Sequence, residues 1–408
     1  MKNLKKIAAL LLAATMTVSM VACGGSSDSG SSDADSSADT NASADAETGS
    51  DEGTDVSADG MKIAMITDYG DITDQSFNQT TYEACKAFAD ANDGADFTYY
   101  KPEGDSTAER VAMIDKAVAD GYDILVMPGY AFGEAIKETA DMYPDVKFVA
   151  LDVSEYDFEG DESDFNGQYK DNVFSAVYQE ELPGYMAGYA AVKLGYTKLG
   201  FLGGMAVPAV IRYGYGFVQG ADAAAAEDNV DVEINYAYGN QFYGDADITA
   251  AMDTWYAGGT EVVFACGGGI FTSAGEAASK VQGHVIGVDV DQKATIDGAD
   301  YGYDGMTVTS ATKGLAATVN TLLTAIHDGK WSDYAGKIEN LGLVSDSDMD
   351  ANYVGLAAST SWSDTFTEDD YKALVGKMVS GEVKVSNDSE APEPTATKAK
   401  INFQGNIK

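Results

Sequence analysis

The sequence predicts an α/β protein with two doubly wound parallel-sheet lobes joined by a hinge. From residue 61 onwards, short apolar runs rich in Val, Ile, Leu and Phe alternate with helical stretches. The runs lack strict polar alternation, which indicates strands that are covered on both faces. Strand–helix alternation of this kind predicts right-handed βαβ units. A chain of 408 residues is long enough to form two such cores.

The predicted strands are KIAMIT, DILVMP, VKFVALD, KLGFLGG, EVVFACGGG, HVIGVDVD and MTVTSAT. Between them, residues 106–119 and 132–142 carry apolar side chains at helical spacing. The run YQEELPGYMAGYAAVKLGY predicts a helix that opens the second half of the protein. We therefore expect about five strands before residue 178 and about five after residue 196.

The two lobes are expected at residues 61–178 with about 291–330, and at residues 179–290 with about 331–385. A strand near 306–309 followed by a helical pattern at 313–328 predicts that the chain crosses back between the lobes. The polar, Pro-containing residues 386–398 predict a linker, and the final run AKINFQGNIK is a candidate edge strand, so that residues 386–408 stand apart from both lobes.

Residues 1–23 have the features of an export signal. Three lysines precede a mostly apolar stretch that is short for a membrane span. The stretch ends in MVAC, which is similar to a bacterial lipobox with Met20 in place of the more usual Leu. This similarity implies that Cys23 is acylated and anchors the protein at the extracellular face of the cell membrane. An ordinary signal peptide with an incidental Cys is the alternative.

Residues 24–60 form an acidic segment rich in Ser and Asp, without Lys, Arg or any aromatic residue. Such a segment cannot bury enough apolar area to offset its ordering entropy. We expect a disordered, self-repelling tether with a reach of about 35 Å.

The net charge of −41 limits the classes of partner. A surface this acidic repels phosphate backbones, so we expect no nucleic-acid partner. Cys85 and Cys266 are expected to be buried free thiols, although the sequence leaves a disulfide between them open.

Signatures of catalysis and of metal binding are missing from the sequence. The two histidines lack nearby ligand partners, and no G-x-S-x-G, H-E-x-x-H or C-x-x-C occurs. The run DYGDITDQ lacks the spacing of an EF-hand loop. We therefore expect a protein that is not an enzyme and that holds neither a cofactor nor a metal.

Ligands of open parallel sheets bind outside the carboxyl ends of the strands. The candidates at or after predicted strand ends are Asp68, Phe77, Asn78, Asp152, Tyr213, Gly268, Asp289 and Lys313. Carboxylates accept hydrogen bonds from hydroxyl and ring N–H groups, aromatic side chains stack on flat rings, and glycine lets a backbone amide approach closely. Each candidate also has an ordinary explanation as a helix cap, a core residue or a surface charge. Together they fit a base plus a sugar, whereas a nucleotide fits poorly, because no phosphate-binding motif is present.

Several stretches resemble the basic membrane protein family of lipoproteins, which are purine nucleoside receptors of ABC importers. The similar stretches are TDYGDITDQSFNQTTYEACKAF, YPDVKFVALD, EELPGYMAGYAA, GFLGGMAVPAVIRYGYGFVQGA, VIGVDVDQ and EDDYKALVGKMVSGEVKVSND. They span roughly residues 61–386, nearly the whole folded part. The resemblance implies a type I periplasmic-binding-protein fold, in which two lobes joined by crossing hinge strands close on the ligand.

The resemblance also implies roles for the candidates near the base. Asp68 and Asn78 would contact the purine edge, and Phe77 would stack on the ring from the first lobe. Tyr213 falls where many relatives carry Phe, and it would stack from the second lobe.

For the sugar, the resemblance implies that Asp289 clamps the ribose hydroxyls with Gly268 and Lys313 beside it, and that Asp152 lies on the hinge side. The expected function is capture of a nucleoside and its delivery to an ABC permease in the membrane. Alternatives are a receptor of the same fold for a sugar, a flavin or a signalling molecule, a nucleoside-cleaving enzyme, and a surface adhesin.

Overall fold

The computed structural model describes residues 60–68, 70–159 and 169–408. The predicted export signal, the predicted lipidation site Cys23 and nearly all of the predicted tether lie outside the described residues. The strands are β1 (Lys62–Ile66), β2 (Asp96–Tyr100), β3 (Ile124–Pro128), β4 (Lys147–Leu151), β5 (Val173–Tyr178), β6 (Lys198–Gly203), β7 (Glu233–Tyr238), β8 (Val262–Cys266), β9 (His284–Asp289), β10 (Thr307–Lys313), β11 (Ile338–Leu341), β12 (Val354–Leu356) and β13 (Lys400–Asn406).

The helices are α1 (Phe77–Ala91), α2 (Thr107–Ala119), α3 (Gly133–Thr139), α4 (Glu155–Glu159), α5 (Glu181–Lys193), α6 (Pro208–Asp228), α7 (Ala246–Ala257), α8 (Phe271–Ser279), α9 (Lys293–Asp297), α10 (Leu315–His327) and α11 (Glu368–Val379). Among the described residues, none of these helices is long and apolar enough to span a bilayer.

The strands form two sheets of the same topology. The first has the order β2-β1-β3-β4-β5-β11, and the second has the order β13-β7-β6-β8-β9-β10-β12. Neighbouring strands run parallel, except that β12 is antiparallel to β10. The order 2-1-3-4-5 is a doubly wound arrangement, and β7-β6-β8-β9-β10 repeats it, although no repeat is visible in the residues. The predicted fold class of two parallel-sheet lobes is confirmed.

The points at which the chain crosses between the lobes differ from those expected from the sequence. β10 pairs with β9 in the second sheet, so the expected assignment of residues 291–330 to the first lobe is wrong for this strand. The crossing follows Lys313, and α10 then packs on the core of the first lobe. β11 pairs with β5 in the first sheet, against the expected assignment of residues 331–385 to the second lobe. The candidate edge strand at the end of the chain is β13, which pairs with β7.

Two cysteines lie in the described part of the chain, and both are buried free thiols. Cys85 packs in the core of the first lobe and Cys266 in that of the second. Burial raises the pKa of both thiols above the ordinary value. They therefore act as small apolar side chains, as expected.

Helices α5 and α6 pack backbone to backbone beside the hinge. A Cβ atom on any of four glycines would overlap a carbonyl oxygen of the opposite helix: Gly184, Gly188, Gly216 and Gly220. Only residues without a side chain permit this approach. The close packing sets the distance between Glu180, which precedes α5, and the N-terminal half of α6.

The Gly188→Ala substitution is expected to destabilise the protein, because the added methyl group would overlap the carbonyl oxygen of Phe217. We expect a decrease in the free energy of unfolding of about 1–3 kcal/mol, typical of overpacking. Gly376→Ala in α11 is the matched control, since a Cβ there meets nothing within 4 Å. The control should gain up to about 1 kcal/mol from helix propensity. Urea denaturation measures both, and equal effects of the two substitutions would contradict the packing argument.

Candidate ligand-binding site

A cavity of about 100 Å³ lies between the lobes, where the carboxyl ends of the two sheets face each other. Every ligand-binding candidate from the sequence lines this cavity: Asp68, Phe77, Asn78, Asp152, Tyr213, Gly268, Asp289 and Lys313. The volume has room for several water-sized groups. The structure therefore brings the candidates together, while their contacts with a ligand stay a prediction.

The amide of Asn78 is held in a single orientation. Its Nδ2 donates to Asp68 Oδ1 and to Asp74 Oδ2, both at 3.0 Å. Because carboxylates only accept, the nitrogen must face them and the oxygen must face away. Asn78 Oδ1 is buried and has no hydrogen-bond partner among the described residues. It is an acceptor at the cavity that a ligand N–H can satisfy.

Asp74 is the helix cap of this region and is not among the residues that the sequence pattern indicates. Its carboxylate accepts hydrogen bonds from the backbone N–H groups of Ser76, Asn78 and Gln79 at 3.0, 2.9 and 3.0 Å. A carboxylate at a helix N-terminus satisfies the free N–H groups and interacts favourably with the helix dipole. The capping explanation considered for Asp68 therefore belongs to Asp74. An Asp shortly before the first helical residues is the signal that could have revealed it.

Asp68 lies at the cavity wall directly after β1 and Thr67. Burial raises the pKa of its carboxyl to about 6, against the lowering effect of hydrogen bonds from Gly70 N and Asn78 Nδ2. A carboxyl with this pKa changes protonation in mildly acidic solution, which is common for groups in binding clefts.

The ammonium of Lys313 lies among carboxylates from both lobes. Its Nζ is 2.5 Å from Asp152 Oδ2, 3.4 Å from Glu180 Oε1 and 3.8 Å from Asp289 Oδ1. It also lies 4.6 Å from the centre of the Phe77 ring, within cation–π range. Burial disfavours its charge, but the three carboxylates raise the pKa of Lys313, so that it stays protonated.

Glu180 pairs with Lys313 from outside the cavity lining. The sequence pattern does not indicate this residue either. It is fully buried, and its Oε2 accepts from Arg212 Nε at 2.7 Å. Although burial opposes its ionisation, Arg212 and Lys313 together lower the pKa of Glu180. Burial raises the pKa of Asp152 to about 6, with Lys313 opposing the rise.

Asp152 and Asp289 have equivalent places in the two lobes. Asp152 follows β4 and Asp289 ends β9, and both have left-handed backbone angles, with φ of 63° and 66°. Asp tolerates this region better than most residues, and such strained positions cluster at functional sites. Asp289 Oδ2 accepts from Ser76 Oγ at 2.6 Å, a hydrogen bond that links the second lobe to the first. Burial raises the pKa of Asp289.

Tyr213 lines the cavity but is mainly a core residue. It is 1% exposed, and its ring lies edge-on to that of Phe264 at 5.9 Å between centres. Its hydroxyl is 3.4 Å from the carbonyl oxygen of Ala311, a long hydrogen bond. Tyr213 therefore belongs both to the core of the second lobe and to the cavity wall.

Phe242, in the loop between β7 and α7, is a further aromatic residue of the cavity wall, and the strand-end pattern does not indicate it. Glycines hold it closely: a Cβ on Gly204 would lie 2.5 Å from its ring, and one on Gly268 would lie 3.0 Å from its carbonyl oxygen. Gly269 N donates to that oxygen at 2.9 Å. The only sequence signal is an aromatic residue in a Gly- and Asn-containing loop after a strand.

Among the residues described, no group of His, Cys, Asp and Glu side chains is arranged to hold a metal ion.

The raised pKa of Asp68 predicts a specific pH dependence of stability. The folded state retains this proton up to about pH 6, whereas an ordinary Asp releases it near 3.8. The contribution of Asp68 to the free energy of unfolding therefore falls as the pH rises from about 4 to about 6. Relative to Asp68→Asn, wild type should gain about 2 kcal/mol on acidification from pH 7 to pH 4, measured by urea denaturation.

Asp71→Asn is the control for this experiment. Lys101 lowers the pKa of Asp71, so wild type should lose stability relative to this variant on acidification, with the opposite sign. Parallel pH profiles of wild type and Asp68→Asn would show that the carboxyl of Asp68 is not perturbed.

Comparison with known proteins places this architecture in a family. Residues 61–388 match the family model Bmp, described as ABC transporter substrate-binding protein PnrA-like. The chain is 29% identical to the ABC transporter nucleoside-binding protein BmpA of Lactococcus lactis subsp. cremoris (strain MG1363), over 66% of this chain and 76% of that protein. It is 30% identical to the CD4+ T-cell-stimulating antigen of Listeria innocua serovar 6a, over 81% of this chain and 89% of that protein.

The fold is similar to the crystal structure of ABC transporter system solute-binding proteins from Aeropyrum pernix K1. The TM-score is 0.63 at 21% identity, over 80% of this chain and 94% of that one. This likeness agrees with the expected type I periplasmic-binding-protein fold. The family consists of binding proteins that bind small-molecule ligands and work with an ABC permease, rather than enzymes. The chain therefore belongs to the Bmp family of PnrA-like ABC transporter substrate-binding proteins.

Proposed function

We propose that this protein captures a purine nucleoside in the cavity between its lobes and delivers it to its permease. The observation that carries the proposal is that two kinds of group line one cavity. These are the fixed amide of Asn78 with the ring of Phe77, and the carboxylates of Asp152 and Asp289 around Lys313. In this proposal the first set forms the base end of the site and the second set forms its sugar end. The Lactococcus relative, whose name includes nucleoside binding, supports the same ligand class.

The Asn78 end suits a heterocyclic base. Asn78 Oδ1 needs an N–H donor, since both hydrogens of its own amide are already used. The six-membered ring of hypoxanthine or guanine supplies N1–H, and adenine supplies its 6-amino group. Phe77 from the first lobe and Phe242 from the second present aromatic surface for stacking on such a ring. In this proposal Phe242 takes the larger part of the stacking role expected of Tyr213.

The Asp289 end suits ribose. Asp152 Oδ1 is buried without a hydrogen-bond partner among the described residues, so it can accept from a hydroxyl. Asp289 offers a second ionisable carboxyl, and Lys313 can donate to a sugar oxygen. Gly268, with φ of 53°, lets the backbone approach the ligand beside them.

The charge of the lining favours an uncharged ligand. The described lining contains four carboxyl groups, on Asp68, Asp74, Asp152 and Asp289, but only one ammonium, that of Lys313. In a partly desolvated cavity this excess of carboxylates repels phosphate. A nucleoside therefore fits this cavity better than a nucleotide.

In this proposal the protein lies at the extracellular face of the membrane, where a lipid on Cys23 anchors it. The support is the sequence MVAC after an apolar stretch. Replacement of Cys23 by Ala should release the protein from the membrane fraction, which immunoblotting of fractionated cells measures.

Asp289→Ala should weaken nucleoside binding, because a charged hydrogen-bond acceptor for the ribose is lost. We expect about a 10- to 100-fold increase in the dissociation constant for inosine, by titration calorimetry of protein stripped of carried-over ligand by denaturation and refolding. Asp291→Ala is the matched control, since Asp291 is two residues away, exposed and outside the cavity lining. Equal affinities of the two variants would show that Asp289 does not contact the ligand. If wild type binds no nucleoside, the proposed class of ligand is wrong.

Binding should also depend on an N–H donor of the base. Purine riboside keeps the ring system and the ribose of inosine but lacks its 6-oxo group and its N1–H donor, so the acceptor Asn78 Oδ1 would stay unsatisfied. An unsatisfied buried acceptor is unfavourable by about 1–3 kcal/mol. Purine riboside should therefore bind about 5- to 150-fold more weakly than inosine in competition titrations. Equal affinities would show that Asn78 does not contact the base.

A further inference from the structure

The end of the chain lies beyond the family match and is nevertheless built into the second lobe. The match ends at residue 388. β13 then pairs in parallel with β7, from Lys400 opposite Glu233 to Asn406 opposite Tyr238, and Ile407 N donates to Tyr238 O at 2.8 Å. This pairing brings the chain to the point where β7 ends and the loop to α7 begins.

The side chain of Lys408 reaches across the base of that loop. Its Nζ forms an ion pair with the carboxylate of Asp245 and lies 3.3 Å from Gln241 Oε1. Gln241 Nε2 in turn donates to Asp245 Oδ2 at 3.0 Å and to Tyr243 O at 2.9 Å. Asp245 also caps α7 by accepting from Ile248 N at 3.0 Å. The three side chains thus tie both ends of the segment 241–245 to one another and to α7.

The tied segment carries Phe242 to the candidate site. Its carbonyl oxygen accepts from Gly269 N, and its ring lies against Gly204. Tyr243 forms an isolated parallel bridge with Gly269 on the same side. Because the ring is in tight contact with backbone at glycine positions, a small shift of the loop changes how far it enters the cavity.

We infer that β13 and its following residues position Phe242 for ligand binding, and that Lys408 is the positioning residue. The consequence for binding rests on the proposed function, because it requires that Phe242 stacks on the ligand. The effect on the loop itself does not depend on the identity of the ligand.

The expected effect is modest because the ion pair is partly exposed. The side chains of Lys408 and Asp245 are 30% and 27% exposed. Ion pairs of this kind stabilise a structure by up to about 1 kcal/mol. Loss of one therefore changes an equilibrium or rate constant by about two- to five-fold. The expected result is therefore a measurable increase in loop opening and in ligand dissociation rather than loss of binding.

The test uses Lys408→Met, which keeps most of the length of the unbranched side chain and removes its charge. Lys400→Met is the matched control, since Lys400 begins β13, the strand that leads to Lys408, and forms an ion pair with Glu233 at 3.0 Å at the end of β13 that is far from the loop. Lys408→Arg retains the charge and should restore wild-type behaviour. Hydrogen exchange of the peptide containing residues 239–245 is measured in ligand-free protein, and dissociation of inosine is measured by stopped-flow competition.

In Lys408→Met, exchange of this peptide and inosine dissociation should both be about two- to five-fold faster than in wild type, with Lys400→Met and Lys408→Arg close to wild type. Equal changes in both Met variants, or none in Lys408→Met, would overturn the positioning role. If exchange is faster but dissociation is unchanged, the loop is tied by Lys408 without serving the ligand, and the inference is wrong. If wild type binds no nucleoside, the proposed function fails, whereas the exchange measurement still decides whether Lys408 positions the loop.

Discussion

The geometry of the cavity depends on the ion pairs that the buried ammonium of Lys313 forms. Lys313 ends β10 in the second sheet and Asp152 follows β4 in the first, so their 2.5 Å ion pair joins the two lobes beside the hinge. Burying charges is strongly unfavourable unless each keeps close partners. Glu180 and Asp289 are the further partners of the ammonium, and Arg212 balances Glu180. Without Lys313, the carboxylates of Asp152, Glu180 and Asp289 would lose the cation that they share.

The repeated topology explains why both lobes contribute a carboxylate at the same place. β4 and β9 occupy equivalent positions in the two sheets, and the Asp at the end of each has the same left-handed conformation. Because the carboxyl ends of the two sheets face each other, the equivalent positions meet in one cavity. The partners then differ: Asp152 pairs with Lys313, whereas Asp289 accepts from Ser76 at the start of α1. A symmetric framework therefore places the two carboxylates in different surroundings within one cavity.

The sequence predicts those parts of this arrangement that depend on periodicity and strand ends. β3 and β8 are buried along their whole length and appear as continuous apolar runs, whereas β2, with the sequence DFTYY, is half exposed at an edge and carries no clear pattern. The rule that ligands meet strand ends brings Asp68, Asp152, Asp289 and Lys313 together correctly. It fails for Phe242, which is placed by a loop, and for Glu180, which is placed by the contact of α5 with α6. Tyr213 lines the cavity as expected, but periodicity does not reveal that its ring also packs in the core of the second lobe.

The polar groups of the cavity indicate why closure of the lobes would depend on a ligand. Asn78 Oδ1 and Asp152 Oδ1 are buried acceptors without partners in the described part of the protein. When the lobes separate, bulk water can donate to both atoms. In the closed form the donors must come from whatever occupies the cavity, water or ligand, because a buried acceptor left unsatisfied is unfavourable by about 1–3 kcal/mol. A ligand with an N–H group at one end and hydroxyl groups at the other satisfies both acceptors in the closed form alone. Such differential interaction is what shifts a population from open to closed. Under the proposed function, the N–H and hydroxyl donors of a nucleoside would replace water at both acceptors and so favour the closed form.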